Sequence, residues 1–257
     1  MEEGSFFLSN VFKDYFSGHA RQYQNARPDY PPELFHQLAK LAPANSRAWD
    51  CATGNGQAAY TLAQHFTHVF ASDASFEQVR RVSRHNRISY HVAKAEASAF
   101  ADDLFDLVVV AQALHWFDID SFMAEARRVL KSNGLMAVWC YQRMYITPAI
   151  DDIILSYYTQ TVGSFWPAER RHVENGYRFF DLPLEEQNLP PFEIGVDWDL
   201  QQVGDYVRSW SATQRFMREH GWDPVIALTD SLRQVWGNAT QKRLARWPLA
   251  VRAGRLI

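Results

Sequence analysis

The chain has few cysteines, no long apolar run and no excess of basic residues, and each absence excludes a class of protein. Its 257 residues include two cysteines, Cys51 and Cys140, which are too few for a disulfide scaffold and indicate a reducing compartment. The formal charge is −3 at pH 7, so no global positive field favours nucleic acid or an anionic membrane. The longest apolar runs, such as residues 107–111, are far shorter than the roughly 20 residues that span a bilayer.

The remaining composition is that of an ordinary soluble domain. Hydrophobic residues make up 47% of the chain and charged residues 21%, which excludes wholesale disorder and permits a sizeable core. The first residues are acidic where an export signal would be basic, so we expect no such signal. Together with the cysteine usage, this predicts a cytoplasmic protein.

Three stretches that differ in composition and hydrophobic pattern predict one domain with three parts. Residues 1–31 are aromatic and end in a proline-rich boundary, which suggests an N-terminal lid. Residues 32–140 alternate helical and strand patterns, as βαβ units with a parallel sheet do. Residues 141–257 lose that alternation and predict a helical, aromatic cap followed by late strands.

Hydrophobic periodicity predicts the individual elements. The predicted helices cover 33–41, 57–66, 121–131, 203–217 and 224–236, with a basic helix, or the end of one, at 79–87. The predicted strands cover 48–50, 69–72, 88–92, 106–111, 135–139, 192–198 and 247–253. Asp120 is the expected N-cap of the helix that begins at Ser121, and Asn133-Gly134 is expected to end that helix.

The turn between the first strand and its helix, D-C-A-T-G-N-G-Q at 50–57, is the most informative segment. Glycines at alternate positions let the backbone approach a ligand closely. No Lys-Ser or Lys-Thr follows them, which excludes a P-loop, and the third glycine of the dinucleotide pattern is missing. Asp50 beside the turn suits a ligand with positive charge better than a pyrophosphate.

Asp73 ends the second predicted strand, where an acid typically accepts hydrogen bonds from both ribose hydroxyls. A carboxylate there also disfavours a 2′-phosphate. The alternative is that Asp73 only caps the following helix through the segment D-A-S at 73–75.

Several segments in the same order resemble a known family. They are D-C-A-T-G-N-G-Q at 50–57, S-D-A-S at 72–75, A-E-A at 95–97, F-D-L-V-V-V-A-Q-A-L-H-W-F at 105–117 and A-R-R-V-L-K-S-N-G at 126–134. R-P-D-Y-P at 27–31, Y-V-R-S-W-S at 206–211 and W-P-L at 247–249 extend the resemblance over nearly the whole chain. The sequence is similar to class I S-adenosylmethionine-dependent methyltransferases of the type 11 group, which includes trans-aconitate methyltransferase-like proteins.

This resemblance implies an α/β fold with a Rossmann-like, seven-stranded, mostly parallel sheet, an N-terminal lid and a helical insertion. It implies that S-adenosylmethionine is held at the carboxyl ends of the strands. The implied contacts are Asp50, Ala52, Thr53, Gly54 and Gly56 for the methionine part, Asp73 and Ala74 for the ribose, Ala95 and Glu96 for the adenine, Gln112 and Ala113 beside the sulfonium, and Tyr23 and Arg27 closing over the cofactor. Two positions depart from the family: Ala52 replaces a common glycine, and Lys94 an acid that often meets the adenine amine.

The acceptor pocket is predicted near the same edge, from the aromatic residues Trp116, Phe117, Trp139 and Tyr141. His115 follows the fourth strand and is the candidate catalytic base; its alternative role is to order the loop with Trp116. A carboxylate acceptor needs no base, whereas a hydroxyl or an ammonium must lose a proton. By analogy we expect a small carboxylic acid, for which Arg143, Arg208 and Ser209 are available.

Other functions stay open at this point. A protein that binds S-adenosylmethionine without turnover and a nicotinamide-dependent oxidoreductase are alternatives, the second opposed by Asp50 and the missing glycine. The basic residues Arg80, Arg81, Arg84, His85 and Arg87 raise an RNA methyltransferase, although a solvated helix face explains them better. His65 and His68 lack further ligands at matching spacing, so no metal site is expected. We expect a small-molecule partner, with no nucleic acid and no membrane.

Overall fold

The computed structural model describes residues 27–257. Its centre is an eight-stranded sheet in the order β3-β2-β1-β4-β5-β8-β6, with β7 also paired to β8. Strands β1 to β5 run parallel to one another, and β8 runs antiparallel to β5, β6 and β7. The predicted α/β fold with a mostly parallel sheet is confirmed.

The strands and helices are as follows, in chain order within each kind. The strands are β1 Arg47–Cys51, β2 His68–Asp73, β3 Ile88–Val92, β4 Phe105–Ala111, β5 Leu130–Tyr141, β6 Leu184–Glu186, β7 Phe192–Trp198 and β8 Arg243–Leu256. The α-helices are α1 Pro32–Leu41, α2 Gln57–Leu62, α3 Phe76–Val79, α4 Ile119–Val129, α5 Pro148–Ser156, α6 Arg170–Glu174, α7 Leu200–Arg208, α8 Ser211–His220 and α9 Val225–Trp236. Short 3₁₀ segments lie at Leu114–Trp116 and Gly163–Phe165, and a π-helix covers Tyr157–Thr161.

The parallel strands are buried on both faces, which explains why their sequences are continuous apolar runs. On β4, Leu107 and Val109 belong to the core that contains α1, α2 and the cap helices. Val108 and Val110 face the opposite core, which contains α4. The strand order reverses between β1 and β4, and in open α/β sheets the carboxyl ends at such a point are where ligands bind.

The strand count differs from the predicted seven for a local reason. Leu249 of β8 pairs with both β5 and β7, and Gly254 and Arg255 pair with both β5 and β6, so β6 and β7 lie along the edge of β8 opposite β5. Pro190 and Pro191 fall between them, and proline cannot donate a hydrogen bond to the ladder. One interrupted edge strand therefore accounts for the additional element.

The end of α4 was predicted wrongly. The helix ends at Val129, and Asn133-Gly134 lies inside β5, where the pairing with β4 shifts register. The predicted cap is also displaced, because the side chain of Asp118, not Asp120, accepts a hydrogen bond from the Ser121 backbone N–H at 3.0 Å. The chain enters the helix two residues earlier than its apolar stripe indicates.

Two further helices depart from the prediction. The basic segment 79–87 is not helical beyond Val79, because α3 is a single short turn capped by Ser75. Arg80 and Arg81 instead fold back onto the Glu77 carboxylate. The helix predicted over 203–217 is two helices, α7 and α8, separated by the extended backbone of Trp210.

The cap packs onto the antiparallel part of the sheet through aromatic rings. Trp247 of β8 contacts the rings of Trp198 and Tyr206 at centroid distances of 5.0 and 5.3 Å. Trp236 of α9 is fully buried. Within residues 27–257, no helix has the length and apolar character that crossing a bilayer requires.

We expect Asp118→Ala to lower the free energy of unfolding by about 1 kcal/mol, the usual cost of removing a helix N-cap. Asp120→Ala is the matched control, since its carboxylate lies in the first turn without capping the helix. Urea denaturation of both variants measures the difference. An Asp120→Ala loss as large as that of Asp118→Ala would show that the cap is misplaced.

Candidate active site

The turn after β1 is held by hydrogen bonds that leave one carboxylate oxygen unused. Asp50 is fully buried, and its Oδ2 accepts a hydrogen bond from the Thr53 hydroxyl at 2.5 Å. The Thr53 backbone N–H donates to the carbonyl of Ser72 in β2 at 2.9 Å. Asp50 Oδ1 has no hydrogen-bond partner within residues 27–257. A buried, unpartnered carboxylate oxygen suits a cationic ligand, as the sequence predicted.

Both glycines of the turn have left-handed backbone conformations. Gly54 has φ +56°, and no atom lies within 4 Å of the position that a Cβ would take. Gly56 has φ +84°, and a Cβ there would approach the Tyr90 hydroxyl at 3.3 Å. The space over Gly54 is open in the described part of the chain, so a ligand can approach the backbone there.

Acidic groups converge around this turn. Burial raises the pKa of Asp50 to about 7, against the effects of the Thr53 hydroxyl and the Ala59 backbone N–H, and the charge of Asp73 raises the pKa further. Burial also raises the pKa of the neighbouring Cys51 thiol, followed by the charges of Asp50, Glu96 and Asp73. Three acids, from β1, from the end of β2 and from the loop after β3, therefore act on one point at the end of β1.

Asp73 joins two loops through its carboxylate. Its Oδ2 accepts from the Gly54 backbone N–H at 2.9 Å, and its Oδ1 accepts from the Ser75 N–H at 2.8 Å. The helix that follows is capped by the Ser75 side chain, which accepts from the Gln78 N–H at 3.3 Å. A carboxylate oxygen can accept more than one hydrogen bond, and the ribose hydroxyls that the family resemblance assigns to Asp73 are donors of that kind. Half-buried Ala74 lies between Asp73 and that cap.

The loop after β3 is anchored to α4. Ala95 is buried and Lys94 exposed, and Glu96 accepts a hydrogen bond at 3.1 Å from the Asp118 N–H. Farther along, the buried Glu125 accepts from the Ser98 N–H at 2.8 Å and is paired with Arg128 at 2.7 Å. These bonds hold the predicted adenine residues beside the β1 turn.

Gln112 continues the sheet with its side chain. Its backbone N–H donates to the carbonyl of Trp139 at 2.8 Å. Its amide then accepts from the Tyr141 N–H at 2.9 Å and donates to the Tyr141 carbonyl at 3.2 Å. Because both ends of the amide are used, Gln112 positions the backbone that leads to the buried Ala113.

His115 contacts two aromatic side chains, Tyr177 and Trp116. Its Nδ1 lies 2.9 Å from the Tyr177 hydroxyl, and its ring centroid lies 4.6 Å from that of Trp116. Burial lowers the pKa of His115 to about 3, with the charges of Arg170 and His172 acting in the same direction. The imidazole is therefore neutral at physiological pH and a weak base.

The aromatic residues predicted for the acceptor pocket occupy two different positions. Trp139 is fully buried in the core beneath the sheet edge, in edge contact with Tyr30 at 5.5 Å and Phe35 at 5.8 Å. Tyr141 lies two residues farther along, past the last pairing of β5 with β4, and its hydroxyl accepts a hydrogen bond from Arg27. Tyr141, with half-buried Trp116, is at the sheet edge, whereas Trp139 supports it from below.

Two of the three residues predicted for a carboxylate are engaged elsewhere. Arg208 forms ion pairs with Asp205 at 2.7 Å and Asp223 at 2.8 Å. The Ser209 hydroxyl donates to the carbonyl of Tyr206 at 2.6 Å. Both side chains therefore already have partners within the protein and are less available to a carboxylate than the sequence suggested, because these partners could not be read from the sequence. Arg143 lies over the Tyr145 ring, 6.0 Å from its centroid.

The cap supplies residues that the sequence pattern did not single out. Arg170 lies over the rings of Trp166 and Tyr158, at 4.7 and 5.6 Å from their centroids. Arg27, which the sequence did single out, lies over the ring of Tyr206 in the cap, 5.5 Å from its centroid. The abundance of aromatic residues in 157–210 was a signal for such stacking, but their partners are distant in the chain.

The last two predictions concern Tyr23 and a metal site. Tyr23 lies outside the described residues. Within residues 27–257, no group of three or more His, Cys, Asp or Glu side chains is arranged to hold a metal ion. His68 hydrogen-bonds the Ser89 hydroxyl through Nε2 at 2.9 Å. The ring of His65 is tilted against that of His36, with 6.0 Å between the centroids.

Comparison with known proteins finds methyltransferases. A family model described as a methyltransferase domain matches residues 49–138. A solved structure from Anaeromyxobacter dehalogenans, described as a "putative type II methyltransferase", is 39% identical with a TM-score of 0.84, and covers 89% of this chain and 97% of that chain. A "putative methyltransferase" of Dictyostelium discoideum is 27% identical over 88% of this chain and 87% of its own length. Methyltransferase cfoB of Aspergillus candidus is 32% identical over 52% of this chain and 47% of that protein.

The fold and the acids around the β1 turn define an α/β protein whose sheet edge suits a cationic nucleoside ligand. With a relative that is 39% identical and matched over nearly its full length, the chain belongs to the class I S-adenosylmethionine-dependent methyltransferases. Its cofactor is S-adenosylmethionine, and the nicotinamide alternative is set aside. The narrower likeness to trans-aconitate methyltransferases stays a prediction.

The residues present fit this cofactor. The unpartnered Asp50 oxygen and the open space over Gly54 suit its amino-acid part, and the Asp73 carboxylate suits the ribose. S-adenosylmethionine supplies a methyl group on a positively charged sulfur, which leaves as a neutral thioether when the acceptor's lone pair takes the methyl carbon. The individual contacts with these residues stay predictions.

We expect the affinity for S-adenosylhomocysteine to rise by about tenfold between pH 6 and pH 8, because the Asp50 carboxylate, with its pKa near 7, then ionises and can bind the ligand's ammonium. The free energy of unfolding of the ligand-free protein should change in the opposite sense. Because burial raises the pKa of Asp50 above its unfolded value, the native state holds this proton more tightly, and the free energy of unfolding falls as the pH rises from about 4 to about 7.

Calorimetric titration at both pH values measures the effect on binding. Asp50→Asn keeps the shape of the side chain and should abolish the pH dependence. An equal pH dependence in wild type and variant would show that another group is responsible.

Asp73→Ala should weaken S-adenosylhomocysteine binding by roughly 10- to 150-fold, the value of a hydrogen bond to a charged group, about 1.5–3 kcal/mol. Asp197→Ala, an exposed acid on β7, is the matched control and should leave binding unchanged. The measurement is the dissociation constant of each variant. A change below threefold in Asp73→Ala would contradict the ribose assignment.

Proposed function

We propose that this methyltransferase transfers the methyl group to the carboxylate of a small organic acid. A carboxylate oxygen attacks the methyl carbon with its own lone pair, and the carbon–sulfur pair remains on sulfur. The products are a methyl ester and S-adenosylhomocysteine, and no proton is released. The task of the protein is then to hold the carboxylate in line and to exclude water, and positioning of this kind supplies roughly 7–11 kcal/mol.

The observation that carries the proposal is the environment of His115, the candidate base. Its Nδ1 lies 2.9 Å from the Tyr177 hydroxyl, and burial lowers its pKa to about 3. A base is most effective when its pKa is near the working pH, so His115 removes a proton from a hydroxyl or an ammonium poorly. A carboxylate acceptor needs no such removal, and His115 then orders the loop that leads from Gln112 to Trp116.

Enclosure of the sheet edge supports a small acceptor. Arg27 donates a hydrogen bond to Tyr141 at the end of β5 and stacks over Tyr206 of α7. Gln57 donates to the Pro28 carbonyl at 3.0 Å, which holds the same segment against α2. The segment therefore crosses the acceptor side of the edge and leaves space for a small molecule better than for a folded macromolecule.

Methylation of RNA is the second candidate function, favoured by the basic residues after α3. Arg80 and Arg81 pair with Glu77, and Arg87 donates to the carbonyl of Ala63 at 3.4 Å. These partners reduce the positive charge that RNA would meet.

Both cysteines are free and buried, which supports a reducing, cytoplasmic setting for metabolites as acceptors.

Incubation with methyl-labelled S-adenosylmethionine and a low-molecular-weight cell extract tests the proposal. We expect base-labile, labelled methyl esters together with S-adenosylhomocysteine. Label that enters only the RNA fraction would contradict it, and the absence of any S-adenosylhomocysteine would favour the protein that binds the cofactor without turnover.

His115→Gln should retain turnover within about threefold on an acid acceptor, because glutamine can still hydrogen-bond the Tyr177 hydroxyl and no base is required. His115→Ala removes that bond and should cost more, with cofactor affinity unchanged in both variants. Initial rates and calorimetry separate the two effects. A loss of roughly 10²–10⁴-fold in His115→Gln would identify His115 as the general base instead.

A further inference from the structure

We infer that Arg170 binds an anionic group of the methyl acceptor and thereby selects acids over neutral molecules. The inference rests on the proposed function, since it names the residue through which the acceptor side of that site discriminates. It also replaces Arg208 and Ser209, which the structure engages elsewhere.

The guanidinium of Arg170 is held in one orientation by the cap. It lies over the rings of Trp166 and Tyr158, and its Nε donates to the Tyr158 hydroxyl at 2.9 Å. The Trp166 indole N–H in turn donates to the Tyr158 carbonyl at 3.2 Å. Stacking on both rings fixes the plane of the guanidinium, so little conformational entropy remains to be lost when a ligand binds.

The π-helix that follows α5 creates this support. Within Tyr157–Thr161 the two consecutive tyrosines, Tyr157 and Tyr158, are both buried. Tyr157 meets the Thr213 hydroxyl at 3.1 Å, while Tyr158 carries Arg170. Interruptions of this kind in α-helices are frequent at functional sites.

The helix that begins at Arg170, α6, packs against the segment Leu114–Trp116 that follows β4, and its Glu174 carbonyl accepts a hydrogen bond from the Gln142 side chain, just past β5, at 2.8 Å. From there the charge of Arg170 adds to burial in lowering the pKa of His115, and it opposes the effect of burial on the pKa values of Cys140 and Tyr177. The charges of Arg170 and Arg27 also oppose the effect of burial on the pKa of the Tyr206 phenol, and Arg27 lies over that ring at 5.5 Å. Two guanidinium charges therefore lie on the acceptor side, opposite the acids that surround the β1 turn.

Arg170 is not neutralised by the described part of the protein. No carboxylate of residues 27–257 lies within ion-pair distance of it, although Arg128, Arg208 and Arg252 are all paired. Glu174 accepts a hydrogen bond from the Tyr158 hydroxyl instead of pairing with Arg170. The terminal nitrogens of Arg170 make no hydrogen bond within 27–257, so its planar fork is available to a carboxylate.

Equilibrium binding tests the inference without requiring turnover. The protein, saturated with S-adenosylhomocysteine, is titrated with benzoate, phenylacetate and succinate, and with the corresponding amides. We expect at least one acid to bind, its amide to bind at least tenfold more weakly, and Arg170→Gln to weaken the acid by about 10- to 150-fold. Affinity for S-adenosylhomocysteine should stay within twofold of wild type.

Two further variants make the result specific. Arg171→Gln removes the same charge from an exposed neighbour on α6 and should leave acid binding unchanged. Arg170→Lys keeps the charge but loses the planar fork and the stacking, so it should recover only part of the affinity. Because each variant must still bind S-adenosylhomocysteine, a misfolded protein is recognised directly.

The inference is overturned if no acid binds, if amides bind as well as acids, or if Arg170→Gln binds acids as wild type does. Labelling with the low-molecular-weight extract separates this failure from failure of the proposed function. Small acids that are methylated equally by wild type and Arg170→Gln would refute the role of Arg170 alone, whereas label confined to RNA would refute both.

Discussion

The site depends on the carboxylate of Asp73, which accepts hydrogen bonds from the backbone of two different loops. One bond fixes Gly54 in the turn after β1, and the other fixes Ser75 at the start of α3. Because β1 and β2 are adjacent parallel strands, this single group sets the distance between the two segments predicted to hold the amino-acid and ribose parts of the cofactor. The arrangement of these segments is therefore fixed by hydrogen bonds within the protein.

The charges around the edge of the sheet are divided between two sides. Asp50, Asp73 and Glu96 surround the turn where a cationic cofactor is expected, and Arg27 and Arg170 lie on the cap side. Such a division favours a positively charged methyl donor and a negatively charged acceptor at the same time. It also explains why the histidine between them is neutral: burial and a nearby guanidinium both oppose its protonation.

The sequence predicted the parallel core well because burial on both faces leaves continuous apolar runs. β3 and β7 have the predicted bounds, and the turn at 50–57 meets Asp73 as expected. Short-range details failed where a tertiary contact overrode local pattern: Asp118 caps α4 in place of Asp120, and β5 takes up Asn133-Gly134. The sequence could not predict the role of Arg170 for another reason, because its partners are defined by a π-helix and by the folding of the cap.

Two residues without glycine's freedom adopt left-handed backbone conformations at the point where the strand order reverses. Ala52, after β1, has φ +57°, and Gln112, after β4, has φ +58°. Each such conformation costs roughly 1–2 kcal/mol for a residue with a Cβ, and strain of this kind persists only where surrounding bonds over-determine it. Gln112 is held by three hydrogen bonds to Trp139 and Tyr141, and Ala52 is followed by Thr53, whose bonds to Asp50 and Ser72 fix the turn. Both strands must therefore turn sharply away from the sheet here, and the space that opens between them is where the cofactor and the acceptor can meet.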